Sequence, residues 1–289
     1  MEVLRSETEI KTNKNIFKRD FEIFDTINPG MVFVVAIFHV LAFYQLVLVY
    51  NGDFAWRFFI YQVVVSIAIG LSITAGAHRL WSHRSYKANL PLRILLMTLN
   101  TMTFQGPLYT WTRWHRQHHK FSDTDGDPHN ARRGFFYSHI GWVILYDHQK
   151  FLRNSAGQIK TADLEADGVV MWQNRNYVWW TGFLLIAQIM LPLTLGLETS
   201  VVRIISAISF GVCVNVFAAG SVNSFAHIWG HRPYDRSILP SQNAWVSLLA
   251  LEFFYFIGWA SDLKTASGEL VAKRAERTGD GSYDAHNGK

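Results

Sequence analysis

Imidazole is unusually dense in one stretch of this chain. Residues 113–130, RWHRQHHKFSDTDGDPHN, carry His115, His118, His119 and His129. The first three are spaced i, i+3, i+4, so on a helix their rings project from one face. Three neutral nitrogen donors on a common face make a metal platform, and imidazole suits iron, zinc or copper better than magnesium or calcium. The plainer explanation of such a run is a basic surface loop, and two further groups weigh against it. GAHRLWSHRSYK holds His78 and His83 at i, i+5, a spacing that brings two rings together only where a helix end loosens. VNSFAH holds Asn223 and His227 at i, i+4. Six histidines with no thiolate among them are too many for one catalytic metal with an open position. They suggest two metals, or one metal with outer partners.

The other histidines carry weaker readings. His39 lies inside an apolar run, where a polar residue is expected to face another helix. His129 and His139 could orient ligands or cap loops, while His148, His231 and His286 read as solvated. The one cysteine, Cys213, is expected to pack in an apolar stretch, and it excludes both a disulfide framework and a thiolate cluster.

The elements that must position these rings are apolar helices. Hydrophobic residues are 49% of the chain and charged ones 17%, against about 25% in a soluble domain. Four stretches are long enough to cross a bilayer, at 31–50, 58–77, 177–197 and 201–221. Arg203 stands near enough to an end to snorkel. The formal charge is +5, and of the 27 Lys and Arg only Arg57 and Arg203 lie near the two short inter-span turns. The other 25 are in the N-terminal tail, the 78–176 loop and the C-terminal region. Positive charge stays cytosolic, so both termini and the long loop are expected there.

The reading is an all-α membrane protein, four transmembrane helices in two hairpins, with a cytosolic histidine-rich helical cap. Its parts are a tail (1–30), a membrane domain (31–260) with the cap at 78–176, and a C-terminal tail (261–289). The basic balance points to a lipid surface rather than nucleic acid. No cleavable leader is visible in the polar first thirty residues. Residues 90–104 and 244–260 are shorter apolar stretches, the second with Glu252 at its middle, and both are expected at the interface or against the cap.

GAHRLWSHRSYK, HRQHHKFSDTDGDPHNARRGFFYSHIGW, NSFAH and KRAERTGDG together resemble the membrane acyl-CoA desaturases, the stearoyl-CoA desaturase family and its insect branch above all. The resemblance runs from about residue 20 to 283. It implies four transmembrane helices, a cytosolic cap and a di-iron centre in the endoplasmic-reticulum membrane. It also implies oxygen-dependent insertion of a cis double bond into a saturated fatty acyl-CoA, with cytochrome b5 as electron donor. Carried over by position, it makes His78, His83, His115, His118, His119 and His227 iron ligands, with Asn223 holding a metal-bound water. Gln105 and Trp111 would line the kink of the acyl tunnel, and Arg113 and Trp142 would lie near the CoA end.

The chain departs from that pattern in several places. Relatives carry a third box, Gly-Glu-Gly-(aromatic)-His-Asn-Tyr-His-His, after the segment matching VSLLAL (246–251). Here VSLLAL runs straight into EFFYFIGWASDLKTAS, as if several dozen residues were deleted, three ligands among them. Trp114 stands where an aspartate usually precedes His115, and Ala219 where a tunnel threonine usually faces Trp111. Pro29-Gly30-Met31 replaces a usual Trp-Arg-Asn. Two expectations follow. One is a working desaturase or a related di-iron oxidase, although the loss of three ligands leads to the expectation that this chain desaturates poorly or not at all. The other is a non-catalytic deleted homologue that binds acyl-CoA or pairs, as a homo- or hetero-oligomer, with active desaturases. A zinc peptidase would need an H-E-x-x-H, which does not occur.

Overall fold

Four helices long and apolar enough to span a membrane dominate the computed structural model, which describes residues 27–145, 153, 157–237, 240–241, 260–261 and 268–282. They are α1 (Pro29–Tyr50), α2 (Trp56–Ser82), α6 (Gly168–Thr194) and α7 (Val201–Ile228). Between the two pairs lie α3 (Leu90–Thr101), α4 (Leu108–Phe121) and α5 (Ala162–Glu165), and near the C-terminus α8 (Gly268–Thr278). The only strands among the described residues are Lys87–Ala88 and Ala260–Ser261, paired antiparallel. The 244–259 stretch, with Glu252, falls outside the described residues, as do His148 and His286.

Capping explains where the helices start. The side-chain oxygens of Asn28, Asn89 and Asp167 accept from backbone N–H groups in the first turns of α1, α3 and α6. Pro follows at the first turn of α1 and α3, where its missing N–H costs nothing. Asp167 also starts α6 nine residues before the apolar run at 177, so the helix carries its polar first turns into the cap. Backbone hydrogen bonding needs no apolar side chain, so α2 and α7 likewise outrun the apolar spans, to Ser82 and Ile228.

The bundle is inside-out by the standard of a soluble protein. Phe33, Phe43 and Trp179 are 68%, 68% and 83% exposed, which only lipid can cover. Polar groups sit between the helices and pair there. Ser206 on α7 donates to Gln45 of α1 at 2.8 Å, and Asn215 donates to Ser66 of α2 at 3.3 Å. Arg203 ion-pairs with Asp53 at 2.7 Å, so at the membrane edge it has a partner as well as water. His39 corrects the expectation made of it. It is exposed and turned to the lipid side, with Nδ1 2.7 Å from its own Val35 carbonyl, a local bond that removes the need for a facing helix.

α3 is amphipathic: Leu92, Leu96 and Met97 are buried while Leu90, Ile94 and Leu95 are exposed. Its inner face joins Trp81, Tyr86, Leu108, Leu164 and Val170 in a second core beneath the cap. The chain's N-terminal end of α1 also meets the cap, through Asn28 N–H to Ile144 O at 2.9 Å. The start of α1, the end of α2, the start of α6 and the end of α7 therefore all stand on the side of the cap. The four helices pass as two hairpins. α8, placed by sequence in a tail, instead docks on the segment after α7. Arg274 pairs with Asp235, and Arg236 N–H donates to Thr278 O at 2.8 Å.

Candidate metal centre

His78 and His83 meet because α2 loosens. From Ser72 to Ser82 it is a π-helix, and the N–H of His83 bonds the carbonyl of His78 at 3.0 Å, five residues back. In that winding i and i+5 stack, and the two rings lie 4.5 Å apart. α4 brings His115, His118 and His119. Arg116 ties the two elements, donating to the Trp81 carbonyl at 2.6 Å and to Asp163 at 2.7 Å.

Four imidazoles converge as a result. One nitrogen from each of His78, His83, His115 and His119 lies within 4.8 Å of all the others. His115 Nε2 stands 3.1 Å from His83 Nε2 and 2.9 Å from His119 Nε2. With a metal–nitrogen bond of about 2.1 Å, two ligands at a right angle would stand about 3.0 Å apart. The donor set thus fits a metal that prefers imidazole. The electrostatics agree. Burial, then the repulsion of neighbouring imidazoles, holds His115 well below its usual range. His119 keeps an exposed edge, yet desolvation of the ring and then His83 and His118 bring it down to about 3. His83 is lowered by burial and then by Arg116 and Arg79. These rings are neutral at pH 7, with lone pairs free for a cation.

A second group lies beside the first. His118 stands outside the four, its ring 6.1 Å from that of His115, 5.2 Å from that of His227 on α7 and 5.2 Å from that of His129. Two buried carboxylates hold it. Asp127 Oδ1 lies 2.8 Å from His118 Nδ1, and Asp123 Oδ2 lies 3.1 Å from His227 Nδ1. Each bond fixes one nitrogen and leaves Nε2 free for a cation, an arrangement seen where an outer carboxylate backs a metal-binding histidine. The carboxylates also brace the loop backbone: Asp127 Oδ2 accepts from Asp123 N–H at 2.8 Å, and Asp123 Oδ1 from Ala131 N–H at 3.2 Å. Asp123 takes φ = 60°, a left-handed conformation that Asp tolerates. Burial opposes its charge, but the bonds from His227 and Ala131 hold its carboxyl below the usual range. Asn223 is half-buried on α7, one turn before His227.

His139 does not join. Its Nδ1 lies 2.9 Å from Ser224 Oγ, and its backbone rides on α7 at Gly220, where a Cβ would stand 2.3 Å from the His139 carbonyl oxygen. His231 is exposed, as expected.

The residues carried over for the substrate are close to the cluster. Trp111 stacks on His115 at 5.1 Å and donates from Nε1 to Gln105 Oε1 at 3.0 Å. The chain bends under it: Phe104 and Gly106 both have positive φ, 56° and 91°. α6 pins that bend, with Gly106 N–H donating to Tyr177 Oη at 3.0 Å and Leu108 N–H to Gln173 Oε1 at 2.9 Å. Arg113 is half-buried two residues before His115. Trp142 packs edge-on against Trp114 at 5.8 Å and 4.2 Å from His129, so the tryptophan that replaces the usual aspartate joins an aromatic cluster. Asp123, Asp127, Gln173 and Tyr177 were missed by sequence reasoning. For the aspartates the signal was the carboxylate-rich run SDTDGDPHN between two histidines; for the α6 pair there was none.

Comparison with known proteins gives the relatives of this chain. A sequence family described as fatty acid desaturase matches residues 55–256. The chain is 39% identical to an acyl-CoA Delta-9 desaturase of Acheta domesticus, covering 78% of this chain and 72% of the relative. It is 36% identical to an acyl-CoA Delta(11) desaturase of Spodoptera littoralis (87% and 83%) and 38% identical to a stearoyl-CoA desaturase of Homo sapiens (87% and 78%). The Acheta alignment runs over 261 positions, yet 78% of 289 residues is about 225. About three dozen aligned positions of that relative therefore face no residue here, in keeping with an internal deletion.

Proposed function

The chain belongs to the fatty acid desaturase family, and from that premise we propose that it is a fatty acyl-CoA desaturase, inserting a cis double bond into a saturated acyl-CoA. The observation that carries this is the convergence of His78, His83, His115 and His119 at one end of a bundle of four apolar helices. These four would hold one iron through neutral nitrogens, and His118 and His227 would hold the second with Asp127 and Asp123 behind them. Asn223 would hold a metal-bound water. Iron, when bound, supplies the oxygen activation that an inert methylene demands. The protein's own residues bind, orient and keep water out. Trp111 and Gln105, held by Tyr177 and Gln173, shape the acyl path next to His115. Arg113 and Trp142 lie toward the CoA end. An apolar bundle and cap shelter the reacting carbon from solvent.

The chain is a multi-pass membrane protein by its four spans and its relatives. We place it in the endoplasmic-reticulum membrane with both termini and the cap in the cytosol, on the positive charge gathered on that side. Electrons come from cytochrome b5, and pairing with itself or with other desaturases is compatible with the reading. The test is expression in yeast lacking its own desaturase, with cytochrome b5 and its reductase present. New monoenes and growth without added unsaturated fatty acid are expected, at lower yield than with the Acheta relative, because fewer ligands hold the metal. A membrane-inserted, iron-loaded chain that yields no monoene overturns the proposal.

A further inference from the structure

His129 is the buried imidazole that the desaturase reading leaves without a task. It is 7% exposed, and its Nδ1 has no hydrogen-bond partner. Native interiors rarely leave such an atom unpaired, and one that stays so calls for an explanation. Its place is well defined. Its backbone N–H donates to Asp127 Oδ1 at 2.8 Å, the same oxygen that holds His118. Its ring is 5.2 Å from His118, which is in turn 5.2 Å from His227, and Trp142 packs on its other side at 4.2 Å. One short loop, organised by Asp123 and Asp127, therefore gathers three buried imidazoles. Two of them have their Nδ1 committed to carboxylates, and the third has a free Nδ1.

We propose that His129 is a protein ligand of the second metal, completing with His118 and His227 a three-imidazole half-site. The proposal rests on the iron-enzyme reading above and adds to it a ligand from outside the six histidines. It answers the deficit noted in the sequence, since a half-site that has lost the histidines of a third box needs donors from elsewhere. Three nitrogen donors with further positions open are a donor set that catalytic metals use. Asp123 and Asp127 tie down the loop that supplies His129, through bonds to the N–H groups of Asp123, His129 and Ala131, so its ring is held beside His118 and must turn to present a nitrogen. The bland alternative is that His129 merely packs against Trp142.

The full chain, purified from membranes and loaded with iron, separates these. Two irons per chain are expected in the unmodified protein and about one in His129→Gln, with an unchanged far-ultraviolet circular dichroism spectrum. Two irons in that variant overturn the proposal. A single iron in the unmodified protein, lost on His115→Ala, overturns it too, while leaving the four-imidazole site standing. No iron at all in the unmodified chain overturns the desaturase reading and this inference together. A second variant gives a gained signal rather than a lost one. His129→Cys loaded with Co²⁺ is expected to show thiolate-to-cobalt charge-transfer absorption in the near ultraviolet. The unmodified protein, whose only thiol is Cys213, serves as the blank. Cobalt bound to that variant without the band overturns the proposal.

Discussion

His78, His83, His115 and His119 are placed by helix backbone, whereas His118 and His227 are placed by carboxylates. In the first group a π-helical stretch and an α-helix set the rings, Arg116 joins the two elements, and no acidic side chain touches an imidazole among the contacts the structure gives. In the second group each ring has a buried aspartate behind it, and the aspartates belong to one irregular loop. Two rings of the first group have exposed edges, while the second is buried throughout. Neighbouring half-sites in one protein thus reach similar chemistry by different routes. Winding errors would break the first, and loss of a charge would break the second.

The largest expected effect comes from cutting the carboxylate support. Asp127→Ala removes the partner of His118 Nδ1 and two backbone acceptor contacts, to Asp123 N–H and His129 N–H. Each stranded buried group costs about 1–3 kcal/mol. Metal affinity at the second half-site should fall roughly 10–100-fold. A chelator titration of the loaded variant should release one metal early and the other at the concentration that strips the unmodified protein. Simultaneous release of both would mean that the two groups form one inseparable site.

A smaller effect is expected where the first group touches the acyl path. Trp111→Phe deletes the bond to Gln105 but keeps an aromatic ring on His115. The net loss is about 0.5–1.5 kcal/mol. Iron content should not change, while double-bond position or preferred chain length should spread, as read by gas chromatography of the monoenes. A fall in bound iron would show that the indole supports the metal ligands rather than the substrate.

How far the sequence foretold this arrangement differs between the two groups. The apolar spans and the i, i+3, i+4 triplet were legible because both rest on short-range periodicity. The His78–His83 pair was legible only as a condition, that the helix must loosen, and the π-helix meets it. The helix ends were not legible: polar residues such as those at 173–176 continue α6 because Asp167 caps it and backbone bonding ignores polarity. Asp123 and Asp127 sit among Ser, Thr and Gly, where acidic residues read as turn formers, so their role needed the tertiary approach of α7. His39 misled because a polar group in a span was expected to seek another helix, when its own backbone carbonyl suffices.

The smallest expected effect concerns the acid stability of the link that brings α4 to α2. Arg116 donates to both oxygens of Asp163, at 2.8 and 2.7 Å, and Arg84 donates to it at 2.7 Å. The bond from Arg116 is the main cause that lowers the Asp163 carboxyl to about 2, with partial burial working against it. An unfolded aspartate titrates near about 3.9. The folded value is the lower one, so the pairing stabilises fully above about pH 4 and its contribution is lost as pH falls through about 2. The Asp163 side chain is 37% exposed, so water and salt screen the pair and its worth is about 0–1 kcal/mol. Asp163→Asn should lower the melting temperature of the metal-free protein slightly at pH 7, and the gap should close between about pH 4 and 2. Metal-free protein is required because acid also protonates the histidines and strips the metal from them. A gap that persists at pH 2 would mean that the variant disturbs packing, and that the charge of Asp163 is not what holds Arg116 against the Trp81 carbonyl.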